Sequence, residues 1–171
     1  MYPQNGTCPL FLSALGTTRG QAGSFANQRK IDHDLNLSLA KAAKEAGTKV
    51  YVLISSGGAS SASMIPYAKL KGDIEDGVLA LGFDHTVIVR PGLIIGARED
   101  FRGPEYVLQR LAGFMGSMSG KAKDVWAQDA DVIAKAAVAA GLRCLNGEET
   151  EKVKIIGQAD VIRLGRTEWK Y

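Results

Sequence analysis

Tyr67 and Lys71 stand four residues apart in the stretch MIPYAKLKGDIEDGV (64–78), and a pair of serines, Ser55 and Ser56, ends an apolar run just upstream. Residues four apart share one face of a helix, so the phenol and the ammonium can point the same way, with either serine near the hydroxyl. Such a trio suits reduction of a carbonyl or oxidation of an alcohol. Free tyrosine ionises near pH ~10, and an adjacent ammonium favours phenolate, which predicts a Tyr67 hydroxyl brought closer to neutral pH. The serine would hold the substrate oxygen, and the lysine would also bond the ribose hydroxyls of a nicotinamide cofactor, NADP or NAD, which carries the hydride chemistry. The same residues also fit an ordinary helix start, with the lysine reaching into water and the serines capping a turn. Spacing alone does not separate the two.

The surrounding elements must place these groups. CPLFLSAL (8–15) is an apolar run that meets the turn-rich GTTRGQAGS (16–24), as a buried parallel strand does where it ends. QRKIDHDLNLSLAKAAKEAG (28–47) has helix spacing in Ile31, Leu35, Leu39, Ala42 and Ala43, with Gly47 as its stop. TKVYVLISS (48–56) reads as a second buried strand, and Pro66 suits the first turn of the helix that follows, which gives way at Gly82. HTVIV (85–89) is a third strand, RPGLIIG (90–96) a loop, PEYVLQRLAGFM (104–115) a short helix and GSMSGKAK (116–123) a linker. A helix over DADVIAKAAVAAG (129–141), then a strand and a helical turn in KVKIIGQADVIRLG (152–165), complete the alternation. Alternating strands and helices predict the α/β class with a parallel sheet and right-handed crossovers. In such sheets ligands sit beyond the carboxyl ends of the strands, which selects Gly16–Thr18, Ser55–Gly58 and Arg90–Gly92.

Composition narrows the classes. With 171 residues, 46% hydrophobic and 23% charged, the chain supports a single domain with a real core. The net charge of +3 comes from dispersed bases without interleaved aromatics, which argues against a nucleic-acid groove. No apolar run approaches the roughly 20 residues of a membrane span. MYPQNGTCPL has neither the basic start nor the apolar core of a secretory signal. Cys8 and Cys144 fit no zinc or redox spacing and read as two reduced thiols, and His33 in DHD reads as a polar helix start, so no metal site is expected.

The order strand, ISSGGA, loop, YAKLK, helix, TVIVRPG resembles the second half of the short-chain dehydrogenase/reductase superfamily in its extended or atypical branch. From Leu10 onward, SALGTTRGQAGSFANQRKIDHDLNLSLAKAAKEAGTKVYVLISS, FDHTVIVRPGLIIGARE, WAQDADVIAKAAVAAG and IRLGRTEWK are similar to a fungal family of mitochondrial outer-membrane proteins, itself related to the mammalian Tat-interacting oxidoreductase-like protein. The resemblance implies Tyr67 and Lys71 as the catalytic dyad and Ser56 as the substrate-orienting serine, with Ser55 the alternate. It places Ala14, Leu15, Gly16 and Thr17 beside the adenosine ribose and Pro91, Gly92 and Leu93 beside the nicotinamide, with Ser55 and Lys71 also contacting cofactor. It further implies peripheral association with the mitochondrial outer membrane and, by way of the mammalian relative, a role in nuclear import and transcription. Where the superfamily often has an asparagine, this chain has Asp32, with Asn36 a turn later.

A dinucleotide-binding fold of this kind opens with a strand, a glycine-rich turn and a helix that holds the pyrophosphate. No such unit precedes Leu10, and Gly16-x-x-x-Gly20-x-x-Gly23 is not followed by a strand ending in an acid. The expectation is therefore a partial Rossmann-like, doubly wound parallel sheet over 1–171 that lacks its first strand and helix units. Weak dinucleotide binding by this chain and self-association through an open strand edge at CPLFLSAL follow from it.

Overall fold

The computed structural model describes residues 8–95 and 127–169. Strands β1 (Leu10–Ser13), β2 (Val50–Ile54), β3 (His85–Val89) and β6 (Val153–Ile156) form a parallel sheet in the order β1-β2-β3-β6. The α/β reading holds. β1 has β2 as its sheet neighbour and stands at one end of the order. A second, two-stranded parallel sheet pairs β4 (Leu93–Ile95) with β5 (Ala127–Asp129), where a loop was expected over 90–96. Three residues are too short to show a strand period, and their partner lies far along the chain. The expected helix over 104–115 and linker over 116–123 fall outside the described residues.

β2 is buried from Val50 to Leu53 because helices cover both faces of the sheet, which is why VYVLI shows no alternation of apolar and polar residues. On one face Val50, Val52, Val87, Val89 and Ile156 pack against Val132, Ile133, Ala136 and Ala140 of α5 (Ala130–Leu145) and Val161 of α6 (Gln158–Ile162). On the other, Tyr51 and Leu53 meet Ala40 of α3 (Asn36–Glu45) and Leu70, Ile74 and Val78 of α4 (Pro66–Ala80). Tyr51 also lies between the rings of Phe11, at 5.4 Å, and Phe83, at 4.9 Å. The buried Cys144 thiol is pushed up by its apolar surroundings, which suits an inert core cysteine.

Between β1 and β2 the chain forms α1 (Arg19–Ala22), α2 (Phe25–Arg29) and a π-helical segment, Lys30–Leu35, that runs into α3. The helix expected from 28 thus starts earlier, at Phe25, where the Ser24 hydroxyl accepts from the Asn27 N–H. DHD is not a helix start. It occupies the π-helical segment inside the helical run, with Asp32 buried and His33 hydrogen-bonded to Asp34.

Two local features fix α4. Gly72 allows its backbone to press on the Ser60–Ser61 loop: a methyl group there would lie 2.0 Å from the Ser61 nitrogen. Glu75, 3% exposed, accepts from Ser55 Oγ at 2.5 Å, from Arg90 Nε at 3.0 Å and from Arg90 Nη2 at 2.5 Å. This ties the helix to the carboxyl ends of β2 and β3. The bidentate fork raises the Arg90 pKa further, so the guanidinium stays charged.

Gly72→Ala is expected to cost about 3 kcal/mol in denaturant unfolding, because backbone, not a flexible side chain, occupies the space of the new methyl. Arg90→Met should cost about 3 kcal/mol by stranding a buried carboxylate, and Glu75→Leu in the same chain should recover part of that loss. Equal or additive losses in that double-variant cycle would show that the pair is not coupled.

Candidate active site

A cleft of about 600 Å³ opens beyond the carboxyl ends of β1 and β2. Its walls come from the loop after β1 (Ala14 to Thr18), from Arg19 and Gln21 of α1, and from Phe25, Gln28 and Asp32 of the helical run. The far side is made by Ile54, Ser55, the start of α4 with Tyr67 and Lys71, and Ile94 of β4. Sheet and crossover helices make this crevice where a doubly wound fold places its ligand.

The loop after β1 has no regular structure of its own and is held by three side chains spaced four residues apart. Asp32 Oδ1 accepts from the Thr17 N–H at 2.6 Å, Gln28 Nε2 donates to the Thr17 carbonyl at 3.1 Å, and Asn36 Nδ2 donates to the Leu15 carbonyl at 3.4 Å. Asn36 Oδ1 accepts from Ser13 Oγ at 2.8 Å and from the Tyr51 hydroxyl at 3.2 Å, which anchors the same helix to the sheet. Gln28, Asp32 and Asn36 are all buried. Gln28 was not singled out in the sequence. The i, i+4, i+8 run of buried-capable amides and acid was its signal, but the π-helical turn that aligns the three is not visible in a 3.6-residue pattern.

Pro66 opens α4, and Tyr67 and Lys71 follow on one face, as the spacing predicted. Lys71 is 7% exposed. Burial lowers its pKa below that of an ordinary lysine, while the Asp32 and Glu75 charges pull it back up. Tyr67 differs from the expectation. Its hydroxyl is held above the ordinary tyrosine value, chiefly by burial and further by the Asp32 charge, and a hydrogen bond from Ser56 works in the other direction. Desolvation of the phenolate outweighs the help that the expectation assigned to the lysine.

The two serines separate. Ser56 stands beside Tyr67 and outside the cleft wall, and its one hydroxyl proton can go to Tyr67 or to the Gly57 carbonyl, 3.3 Å away. Ser55 lines the cleft, but its hydroxyl is committed to Glu75. A turn at Gly57 and Gly58, the latter at φ 78°, separates these serines from the loop that leads to Pro66. Of the residues placed beside a cofactor, Ala14, Leu15, Gly16, Thr17, Ser55 and Lys71 belong to the cleft wall. Pro91 and Gly92 are not in that wall: the Pro91 carbonyl accepts from the Gly57 N–H at 2.8 Å, and the Gly92 N–H donates to Gln128 Oε1 at 3.2 Å. Leu93 opens β4.

The arrangement fits the reacting end of a nicotinamide dinucleotide. Lys71 offers an ammonium at the cleft, and Asp32 Oδ2 is buried with no hydrogen-bond partner, an acceptor left over for a ligand hydroxyl. Among the described residues no glycine-rich turn leads from a strand into a long helix, so no comparable fit exists for a pyrophosphate.

Comparison with known proteins bears on the fold and on the family. Among solved structures, the fold is similar to the 4-epimerase for UDP-Glc/GlcNAc from Campylobacter jejuni, with TM-score 0.61 and 14% identity over 91% of this chain and 60% of that one. It is also similar to MoeE5 in complex with UDP-glucose and NAD, with TM-score 0.59 and 12% identity over 94% of this chain and 62% of that one. The chain thus spans about three fifths of these structures, and the likeness establishes a Rossmann-like fold. Sequence relatives are much nearer. "Protein fmp52-1, mitochondrial" of Aspergillus terreus is 56% identical over 160 residues, 92% of this chain and 69% of that protein. "Protein fmp52, mitochondrial" of Emericella nidulans is 58% identical over the same shares. The HIM1 family model matches residues 2–114. On these matches the chain belongs to the HIM1 family, beside the mitochondrial Fmp52 proteins of Aspergillus and Emericella.

Proposed function

We propose that this chain carries the reacting half of a nicotinamide-dinucleotide-dependent oxidoreductase acting on a carbonyl or alcohol. The observation that carries the reading is the convergence of Tyr67 and Lys71 at a cleft beyond the strand ends, with Ser56 hydrogen-bonded to Tyr67. NADP or NAD, when bound, supplies the hydride. Tyr67 passes the proton at the substrate oxygen, Ser56 orients that oxygen, and Lys71 holds ribose hydroxyls and the charge beside Tyr67. Asp32, Gln28 and Asn36 act on the loop from Ala14 to Thr17, which presents backbone to the ligand without side-chain bulk at Gly16.

A second reading has its own support. The phenol is held above its ordinary value, and one of the two serines is taken by Glu75. Both suit a site that binds dinucleotide without turning over, as in a cofactor-sensing or protein-interaction module. For the cellular setting we place the protein peripherally at the mitochondrial outer membrane. The mitochondrial names of the relatives support the organelle. The β1 edge offers backbone for pairing with a second copy.

In a chain extended to the full length of its relatives, Tyr67→Phe is expected to lower turnover of a carbonyl panel by at least ~100-fold while leaving dinucleotide affinity near the parent value. Dinucleotide binding with no turnover of any carbonyl by the parent would favour the sensing module. The 171-residue chain by itself should show no micromolar heat with NADPH or NADH in calorimetry. The serines should part company as well. Ser55→Ala is expected to lower stability by about 1–2 kcal/mol, since Glu75 loses a buried donor, whereas Ser56→Ala should lower turnover and leave the melting temperature in place.

A further inference from the structure

The carboxylate of Asp32 faces the dyad from the opposite wall. It is 1% exposed, and one of its oxygens is spent on the Thr17 N–H. The other, Oδ2, has no hydrogen-bond partner and sits at the cleft. A methyl group on Gly16 would lie 3.7 Å from Lys71 Nζ and 3.9 Å from Asp32 Oδ2, so both polar ends look into the same small space above that glycine. Glu75 also faces Lys71, from α4 itself, but its carboxylate is answered by the Arg90 fork. The remaining charged group in the cleft wall is Arg19, which is exposed and belongs to α1. Asp32 therefore supplies a buried carboxylate beside the dyad whose Oδ2 has no hydrogen-bond partner among the described residues.

We propose that Asp32 is a positioning residue whose free, buried oxygen keeps Tyr67 a neutral phenol and Lys71 an ammonium in the resting site, so that carbonyl reduction finds its proton in place near neutral pH while alcohol oxidation needs a higher pH. The inference rests on the oxidoreductase reading and gives it a direction. Ionising Tyr67 would set a second negative charge near Asp32, and neutralising Lys71 would remove the positive charge that Asp32 faces. Both changes are opposed. The direction of the influence on each group agrees: the Asp32 charge raises Tyr67 and raises Lys71. An asparagine at this position would hold Thr17 equally well and do neither.

In the favoured direction Tyr67 gives its hydroxyl proton to the carbonyl oxygen while the carbonyl carbon receives a hydride from the reduced dinucleotide. The O–H bond of Tyr67 and the carbonyl π bond break, and C–H and O–H bonds form. The substrate is reduced by two electrons, the dinucleotide is oxidised by two, and the Tyr67 phenolate, disfavoured beside Asp32, recovers a proton from water while Lys71 keeps its charge. The reverse begins from that phenolate, which Asp32 makes scarce in the resting site near neutral pH.

Ultraviolet difference titration of the 171-residue chain, wild type against Tyr67→Phe, isolates the ionisation of this one tyrosine without cofactor or turnover. The expected midpoint lies above that of free tyrosine, and Asp32→Asn should move it to lower pH. A wild-type midpoint at or below the free value, or one that Asp32→Asn leaves in place, overturns the proposal. Should Asp32→Asn fail to fold, Asp32→Ser keeps an acceptor for Thr17 and serves the same comparison. Because no cofactor is used, a failed titration with turnover intact sinks the direction alone, and a normal titration without turnover sinks the oxidoreductase reading alone.

Discussion

Glu75 brings a carboxylate into the space between α4 and the ends of β2 and β3, and three hydrogen bonds from Ser55 and Arg90 hold it there. The desolvation cost of such a charge is large, and it is met only if every partner keeps its place. That condition fixes α4 relative to two strand ends. Tyr67 and Lys71 ride on the same helix, about two turns and one turn before Glu75 respectively, so their positions inherit the constraint. Gly72 adds to it by seating the helix backbone on the Ser60–Ser61 loop.

The opposite wall is built by a different means. The loop after β1 is irregular, and its backbone groups must find partners outside regular structure. Gln28, Asp32 and Asn36 supply them from one helical run. The π-helical segment inside that run widens one turn, a device that recurs at functional sites. One wall is thus tied by a charge pair and the other by amide and carboxylate bonds to backbone. The Oδ2 atom of Asp32 is what remains after the loop has taken its share.

This division explains why a site with a sequence relationship to an oxidoreductase pattern departs from simple expectation at Tyr67. Proximity to an ammonium lowers a phenol's pKa in water. Inside the cleft the same phenol loses solvation and meets a carboxylate, and those effects carry the balance upward. The departure lies in the environment, not in the residues of the motif.

Much of this was readable from order and spacing. The central strands read as apolar runs because helices cover both faces. Pro66 set the start of α4, and the four-residue step from Tyr67 to Lys71 put both on one face. A one-dimensional pattern carries these because each depends on neighbours within a turn or a strand. The pairing of β4 with β5, the early start of the helix at Phe25, and the burial of Asp32 in what looked like a polar start were not readable. They depend on partners distant in the chain or on a change of helical pitch. Which serine faces the tyrosine was also left open by sequence, since Ser55 and Ser56 are adjacent and alike. Tertiary structure decided it, because only Ser55 has Glu75 within reach, and successive residues leaving a strand point to opposite sides.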